Sequence, residues 1–170
     1  MDTPSPLPAF QDGHRLLDEL LLEHQEALIA LDLGAATNAL AAYRAELGVH
    51  MVVEDELVIP AFEALEVEIR GGGAHYYKLE HKKLDELLTR IETDLRELQR
   101  TGVSRPRDVI PLLKLELSFE HVMEHHETRE NYALYPTLAE RLSAADQASL
   151  WQSMQACAES ARADQARSGK

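Results

Sequence analysis

The spacing of apolar residues constrains this fold most, because it follows a helical period over most of the chain. Leucines recur three and four residues apart in long segments, and no segment shows the apolar–polar alternation of a β-strand. Glycines cluster at 71–73, so few positions interrupt these segments. Long helices with short connections predict an all-α protein, an up-down-up-down four-helix bundle with an additional C-terminal helix.

Capping residues and helix breakers set the expected limits of the helices. Asp12 caps the first helix and Gly34 ends it, while Ser143 and Asp146 resemble a capping box that opens the C-terminal helix. We expect that last helix to fray from about Arg162. The bundle helices are predicted over about 12–33, 37–68, 74–101 and 108–142. The predicted organisation is a disordered arm (1–11), the bundle (12–142), the C-terminal helix (143–165) and a tail (166–170).

The amino-acid composition indicates the cellular compartment and excludes some classes of binding partner. The chain has one cysteine, which suits a reducing compartment, and its first residues are acidic and proline-rich, unlike a secretory signal. No apolar stretch approaches the roughly 20 residues of a membrane helix. A formal charge of −13 disfavours nucleic acid as a partner. We therefore expect a soluble, cytoplasmic protein that binds neither nucleic acid nor membrane.

An internal repeat carries the strongest functional signal. Residues 50–60 read His-Met-Val-Val-Glu-Asp-Glu-Leu-Val-Ile-Pro, and residues 126–136 read His-Glu-Thr-Arg-Glu-Asn-Tyr-Ala-Leu-Tyr-Pro. Both copies have a histidine, a glutamate four residues later and a proline six residues after that. Leu-Glu-His occurs before each copy, at 22–24 and at 79–81. Each half of the chain is thus one helix with a lone histidine and one helix with His-x-x-x-Glu. Pro60 is expected to kink its helix or end it locally, and Pro136 stands in the corresponding place of the fourth helix.

The spacing of the repeat predicts a metal site. Residues four apart lie on the same face of a helix, so each copy presents an imidazole beside a carboxylate. Two such helices facing each other would set both carboxylates between two cations, and a buried glutamate is costly without such a partner. Imidazole with carboxylate suits iron, zinc or manganese. The predicted metal ligands are His24, His50, Glu54, His81, His126 and Glu130.

Three other residues are possible additional ligands, or neighbours of the ligands. Tyr77 lies one turn before His81 on the same face, and a buried core tyrosine is the alternative interpretation. His121 and His125 lie one turn apart, and a partly exposed pair is the alternative there. The remaining candidates are expected to lie off the site. His14 and His75 stand at helix starts facing solvent, Glu23 and Glu80 are surface charges, and Glu127 is off the ligand face.

The six-residue set, with its order and spacing, resembles the hemerythrin-like, or HHE cation-binding, family over about residues 12–142. The segments Glu-Asp-Glu-Leu-Val-Ile-Pro and Glu-Asn-Tyr-Ala-Leu-Tyr-Pro are also typical of that family. The resemblance implies a four-helix bundle with a non-haem di-iron centre, in which Glu54 and Glu130 bridge the irons. It also implies ligand roles for the histidines of the predicted set. Zinc or manganese are possible substitutes for the two iron ions.

The chain departs from the oxygen-carrying hemerythrins at two ligand positions. Tyr77 stands where they have a histidine, and Glu130 replaces an aspartate that lies one residue further on in them. The resemblance is closer to two-glutamate variants associated with iron sensing, with nitric oxide or peroxide responses and with iron–sulfur repair. It implies a di-iron protein that binds dioxygen, nitric oxide or peroxide, or that senses iron. A di-iron enzyme that reduces peroxide or nitric oxide or donates iron, and a metal-free helical interaction module, are the alternatives. Catalytic residues and any partner protein stay open.

Overall fold

A computed structural model describes Phe10, residues 12–67, residue 69 and residues 73–168. None of these residues lies in a strand, so the predicted all-α class is confirmed. The predicted N-terminal arm lies outside the described residues except for Phe10, and so does the side chain of Asp12, the expected cap. The α-helices are α1 (Asp12–Ile29), α2 (Leu33–Val53), α3 (Ile59–Glu63), α4 (Ala74–Thr101), α5 (Ile110–Arg129), α6 (Tyr135–Arg141) and α7 (Ala144–Ser168).

Two π-helical segments, Glu54–Val58 and Glu130–Leu134, connect α2 to α3 and α5 to α6. The segments close with hydrogen bonds over five residues, from the amide of Ile59 to the carbonyl of Glu54 and from Tyr135 to Glu130. A proline follows each segment, at the second position of the next helix. Proline lacks an amide hydrogen and clashes with the carbonyl four residues before it, and a wider turn relieves that clash. The repeat therefore encodes a π segment at each proline.

The turn between α1 and α2 lies earlier than predicted. α1 ends at Ile29, and Asp32 caps α2 by accepting a hydrogen bond of 2.9 Å from the amide of Ala35. Leu31 adopts a positive φ of 61°, which ends the first helix without a glycine. Gly34 lies inside α2, so its prediction as the break was wrong. The aspartate cap outweighs the weak helix preference of a single glycine.

The other limits agree more closely. α4 ends where expected, because Gly102 takes a φ of 79° and its amide donates to the carbonyl of Leu98 at 2.8 Å. α3 ends at Glu63, five residues before the predicted end, and a turn follows it. A 3₁₀ turn over Pro106–Asp108 precedes α5.

The core falls into two apolar clusters that lie at different depths in the bundle. The first occupies the part near the α1–α2 and α4–α5 connections, and the second lies beside α3, α6 and α7. On α2 and α4 the predicted ligand histidine stands between residues of the two clusters. His126 of α5 follows Met123 of the first cluster and precedes Leu134 of the second, which lies in the second π segment. The largest fully buried side chains of the first cluster are Tyr43, Phe119, Leu28, Leu40, Leu47, Leu84, Leu88 and Ile91. Those of the second are Tyr77, Tyr135 and Ile59.

The C-terminal helix α7 packs on α2 and on the first π segment. Its predicted capping box is present, since the hydroxyl of Ser143 donates to Asp146 at 2.6 Å and accepts from its amide at 3.2 Å. The helix continues to Ser168, past the point of predicted fraying, and Arg162 pairs with Glu46 of α2 at 3.0 Å. No helix in the described part of the chain is long and apolar enough to span a membrane.

Candidate metal centre

Four side chains of the repeat converge in the interior of the bundle. His50, Glu54, His126 and Glu130 are all buried, and one potential ligand atom of each lies within 4.8 Å of the others. The two glutamates open the two π segments, so the wider turns stand where the carboxylates enter the site. π segments inside helices are frequent at functional sites. The structure thus brings both His-x-x-x-Glu pairs to one place.

The contacts within the cluster join the two halves of the repeat. Nε2 of His126 lies 2.7 Å from Oε1 of Glu130, and Nε2 of His50 lies 3.4 Å from Oε2 of Glu54. Each imidazole also approaches the carboxylate of the other copy. The distance from His126 to Oε2 of Glu54 is 3.7 Å, and that from His50 to Oε1 of Glu130 is 3.9 Å.

Two more histidines complete the shell. Nε2 of His81, on α4, lies 3.2 Å from Oε2 of Glu54, as its place in the predicted set requires. Nε2 of His14, on α1, lies 3.2 Å from Oε2 of Glu130 and 3.2 Å from Nε2 of His50. His14 is 6% exposed, so the expectation that it faces solvent was wrong. Four helices therefore contribute four imidazoles around two carboxylates.

The unpartnered atoms of the cluster fit a metal better than a hydrogen-bonded core. Although Nε2 of His126 is close to Glu130, the geometry is not that of a hydrogen bond, and both ring nitrogens of His126 and both carboxylate oxygens of Glu130 lack a hydrogen-bond partner among the described residues. Buried polar atoms are almost always partnered in native proteins. Imidazole nitrogens and carboxylate oxygens that converge with unpartnered atoms suit cations held by nitrogen and oxygen.

The outer faces of the ligand groups meet further polar side chains. Nδ1 of His81 is 2.9 Å from Asp55, and Nδ1 of His126 is 3.5 Å from Glu80. Glu80 also pairs with Arg129, so it is part of the site's surroundings and its prediction as a surface charge was wrong. The hydroxyl of Tyr135 donates to Oε1 of Glu54 at 2.5 Å. Such contacts orient imidazoles and carboxylates toward a metal.

In the absence of metal, the imidazoles and carboxylates of the cluster shift one another's pKa values. Burial acts to lower the pKa of His50, but the neighbouring carboxylates of Glu54 and Glu130 raise it to about 10. Burial and the Glu54 charge act to raise the pKa of Glu130, but His126 and His14 hold it at about 2. The pKa of Glu54 is also lowered, since His50, His126 and His81 outweigh its burial. Protons on the imidazoles thus balance the carboxylates, and cations would displace them.

His24, a predicted ligand, does not reach the cluster. Its Nδ1 lies 2.7 Å from the carbonyl of Ala36 and its Nε2 lies 3.0 Å from Oε1 of Glu116, and both side chains are fully buried. A separation of ten positions in the sequence places His14 and His24 about 15 Å apart along α1. Only one of them can therefore reach the cluster, and the turn before Leu33 selects His14.

The three residues predicted as possible additions lie outside the ligand cluster. The hydroxyl of Tyr77 donates to the carbonyl of Arg129 at 3.2 Å, and its ring packs edge-on against His126. His121 and His125 are exposed, and their Nε2 atoms lie 3.2 Å apart. His75 is exposed, as expected.

Sequence reasoning also missed Tyr135 as a contact of the site. In the repeat it corresponds to Ile59, and that departure from the apolar pattern was the available signal. A tyrosine in place of a buried aliphatic residue next to a predicted ligand requires a hydrogen-bond partner, which here is Glu54.

The sequence pattern of the Hemerythrin HHE cation binding domain matches residues 5–138. The chain belongs to this family. The match spans the bundle through most of α6 and leaves α7 outside it. No curated protein and no solved structure shows a significant match. Cation binding is the property that names the family, and a His/Glu cluster that could hold a cation is present in this bundle.

Proposed function

We propose that this HHE domain is a non-haem di-iron protein that binds or responds to a small ligand such as dioxygen, nitric oxide or peroxide, or that handles iron. The cluster of four imidazoles around two buried carboxylates carries the proposal. The histidines near Glu54 are His50, His81 and His126. Those near Glu130 are His14, His50 and His126, so each carboxylate faces imidazoles from three different helices. Shared carboxylates of this kind suit two adjacent cations.

The donor set supports iron as the cation. Imidazole nitrogen and carboxylate oxygen together suit iron, zinc and manganese, whereas calcium and magnesium prefer shells of oxygen. Iron would supply the redox chemistry and the affinity for diatomic molecules. The protein's side chains hold the ions, keep the carboxylates ionised and exclude bulk water.

A cleft beside His50 supports access by a small molecule. The cleft has a volume of about 330 Å³ and lies between α1, α2 and α7. Phe10 stacks on the imidazole of His50 with ring centroids 4.7 Å apart, at the boundary of the cleft and the cluster. Apolar side chains such as Leu17 and Met154 line part of the cleft, and the charged side chains of Glu46, Glu159 and Arg162 also line it.

Tyr135 favours a second function, the enzymatic reduction of peroxide. Its buried hydroxyl adjoins Glu54. Burial and the charges of Glu54 and Glu130 raise the pKa of Tyr135, which keeps the phenol protonated. The protonated phenol beside the cluster could supply a proton to a small ligand. Ferrous ions held by the cluster would supply the two electrons that peroxide reduction requires, and a reductant added to the assay would restore them. Turnover of peroxide, and its loss in Tyr135→Phe with metal content retained, would separate enzyme from binding protein.

Metal analysis with optical spectroscopy tests the proposal. We expect two irons per chain after anaerobic loading and a near-ultraviolet band that appears when the reduced protein meets oxygen. The variant His50→Ala/His126→Ala removes one imidazole from each copy of the repeat and should abolish stoichiometric iron.

The matched control also removes two histidines from helices. His121→Ala/His125→Ala deletes the exposed pair on α5 and should keep both irons. Absence of iron from the unsubstituted protein, or equal iron in both double variants, would refute the proposal. A metal-free module would leave the metal content of every variant at the background level.

A further inference from the structure

A second cleft, lined by carboxylates, opens between α1, α2 and α5. Its volume is about 240 Å³. Four of its eight lining residues are acidic and none is basic. The lining residues are Leu17, Asp18, Leu21, Tyr43, Glu120, Met123, Glu124 and Glu127.

The carboxylates of this acidic cleft have no cationic partners. Within the described residues, none of the four forms an ion pair with a lysine or arginine. By contrast, many acidic residues on α4 pair with a neighbouring base, as Glu97 does with Arg100. Clefts of one charge sign concentrate counter-ions and accelerate their binding.

Tyr43 gives an independent indication of a ligand. The side chain is 1% exposed and lines the cleft, yet its hydroxyl forms no hydrogen bond with any residue that the structure describes. A buried hydroxyl normally has a partner. Facing a cleft of carboxylates, this hydroxyl is placed to meet the water shell of a bound cation.

The acidic cleft leads toward the metal centre along two helices. On α5, Glu120, Glu124 and Glu127 follow one another at spacings of four and three, and Glu130 of the centre comes three residues later. On α1, Asp18 lies one turn from His14. Because side chains three and four apart are neighbours on a helix, the carboxylates form a continuous line that ends at two residues of the centre.

We propose that this acidic cleft is the entry site for divalent cations on their way to the metal centre, an inference that rests on the proposed metal-binding function. The cation enters with its water shell. Six waters fill roughly 180 Å³ at about 30 Å³ each, which fits the volume of the cleft. The four carboxylates do not gather ligand atoms within 4.8 Å, as the centre does, so they attract a hydrated ion without trapping it.

The rate of Co²⁺ uptake by the metal-free protein tests the entry site. Co²⁺ bound by histidines has visible absorption, so stopped-flow mixing measures its arrival at the centre. Glu120→Gln/Glu124→Gln should slow uptake about tenfold at low salt and leave the final occupancy unchanged. High salt should reduce the difference, because it screens the field of the cleft.

The control makes the same change in net charge elsewhere. Glu86→Gln/Glu97→Gln removes two exposed carboxylates from α4 and should leave the rate close to that of the unsubstituted protein. Equal rates in the two double variants, with full final occupancy, would overturn the entry site alone. Failure of the unsubstituted protein to take up Co²⁺ would overturn the proposed metal centre and the entry site with it.

Terbium luminescence locates a cation in the cleft directly. Tb³⁺ prefers oxygen ligands, and an adjacent tyrosine excites its emission. With the centre first filled by Zn²⁺, we expect Tb³⁺ emission that Tyr43→Phe strongly reduces, whereas Tyr132→Phe, on the exposed surface of the second π segment, leaves it unchanged. Emission that is unaffected by Tyr43→Phe would overturn the assignment of the cleft.

Discussion

Two buried histidine–glutamate arrangements lie at different positions along the bundle, and they differ in how their polar atoms are partnered. In the arrangement near the α1–α2 turn, one ring nitrogen of His24 lies beside the carbonyl of Ala36 and the other lies beside Glu116. At the metal centre, His126 and Glu130 stand in contact, but their four polar atoms lack hydrogen-bond partners. In the first pair one atom, Oε2 of Glu116, lacks a partner among the described residues, whereas in the second pair both side chains have unpartnered atoms and lie beside a second histidine–glutamate pair.

The comparison shows that burial of an imidazole beside a carboxylate does not by itself make a metal site. The His24–Glu116 pair links α1, α2 and α5. Both ring nitrogens of His24 are engaged, so this imidazole offers no lone pair to a cation, although Oε2 of Glu116 has no partner among the described residues. The convergence of two histidine–glutamate pairs, in which both ring nitrogens of His126 and both oxygens of Glu130 are unpartnered among the described residues, is what distinguishes the centre. Four predictions test this distinction, from the largest expected effect to the smallest.

The first prediction concerns pH. Without metal, protonated His50 stabilises the fold fully below its ordinary pKa of 6.5, and this contribution is lost as pH rises through about 10. Ionised Glu130 contributes above its ordinary pKa of 4.5 and is lost as pH falls through about 2. The metal-free protein should therefore be most stable between pH 4.5 and 6.5 and lose on the order of a few kcal/mol by pH 10.

Urea unfolding over this pH range, with and without metal, measures the effect. Bound cations require neutral imidazoles, so the metal-loaded protein should keep its stability above pH 6.5. A metal-free protein whose stability rises between pH 6.5 and 10 would contradict the charge balance assigned to the cluster.

The second prediction concerns the pair formed by His24 and Glu116. His24→Ala leaves the fully buried Glu116 without its partner, so it should lower the free energy of unfolding by about 3–5 kcal/mol. Replacing both residues by leucine should recover most of that loss, since buried ion pairs are often replaceable by apolar side chains. The iron content of the folded fraction should not change in either variant. Loss of iron in a fully folded His24→Leu/Glu116→Leu variant would place His24 at the centre after all.

The third prediction concerns His14, the histidine of the centre that the sequence analysis did not predict. His14→Ala should weaken metal binding by more than about 100-fold, because loss of a contact around a ligand already costs 10–100-fold. The melting temperature of the metal-free variant should change little, since His14 contacts the cluster from near the start of α1. Competition with a chelator gives the affinity. An affinity equal to that of the unsubstituted protein would remove His14 from the shell.

The sequence led to most of this centre because an i, i+4 repeat with matched prolines fixes which residues share a face. It missed His14 because the turn was placed at Gly34. The midpoint of residues 14 and 50 is residue 32, inside the observed turn, whereas the midpoint of 24 and 50 is residue 37, inside α2. In an antiparallel helix pair, moving the turn by five residues exchanges one facing histidine for the other. Helix periodicity predicts the face of a residue, but its depth depends on where the chain reverses.

The two π segments could not be predicted from the sequence pattern either. Pro60 and Pro136 indicated a local disturbance, but a kink, a break and a π turn all relieve the same clash. The surrounding helices and the two buried glutamates select the π turn, and these contacts are not local in the sequence.

The fourth and smallest effect concerns the support of a ligand. Asp55→Asn keeps the shape of the group beside Nδ1 of His81 and removes its charge. We expect about tenfold weaker metal binding with unchanged stoichiometry, because the carboxylate raises the basicity of the imidazole. Asp94→Asn, an exposed residue of α4, is the matched control. The same chelator competition measures both, and equal affinities would show that Asp55 is only a surface pair.

Diffraction at the iron absorption edge from the anaerobically loaded protein tests the central claim most directly. The account predicts two anomalous peaks between Glu54 and Glu130, within bonding distance of His14, His50, His81 and His126, and no peak beside His24. A peak between His24 and Glu116, or no peak between the two π segments, would contradict it.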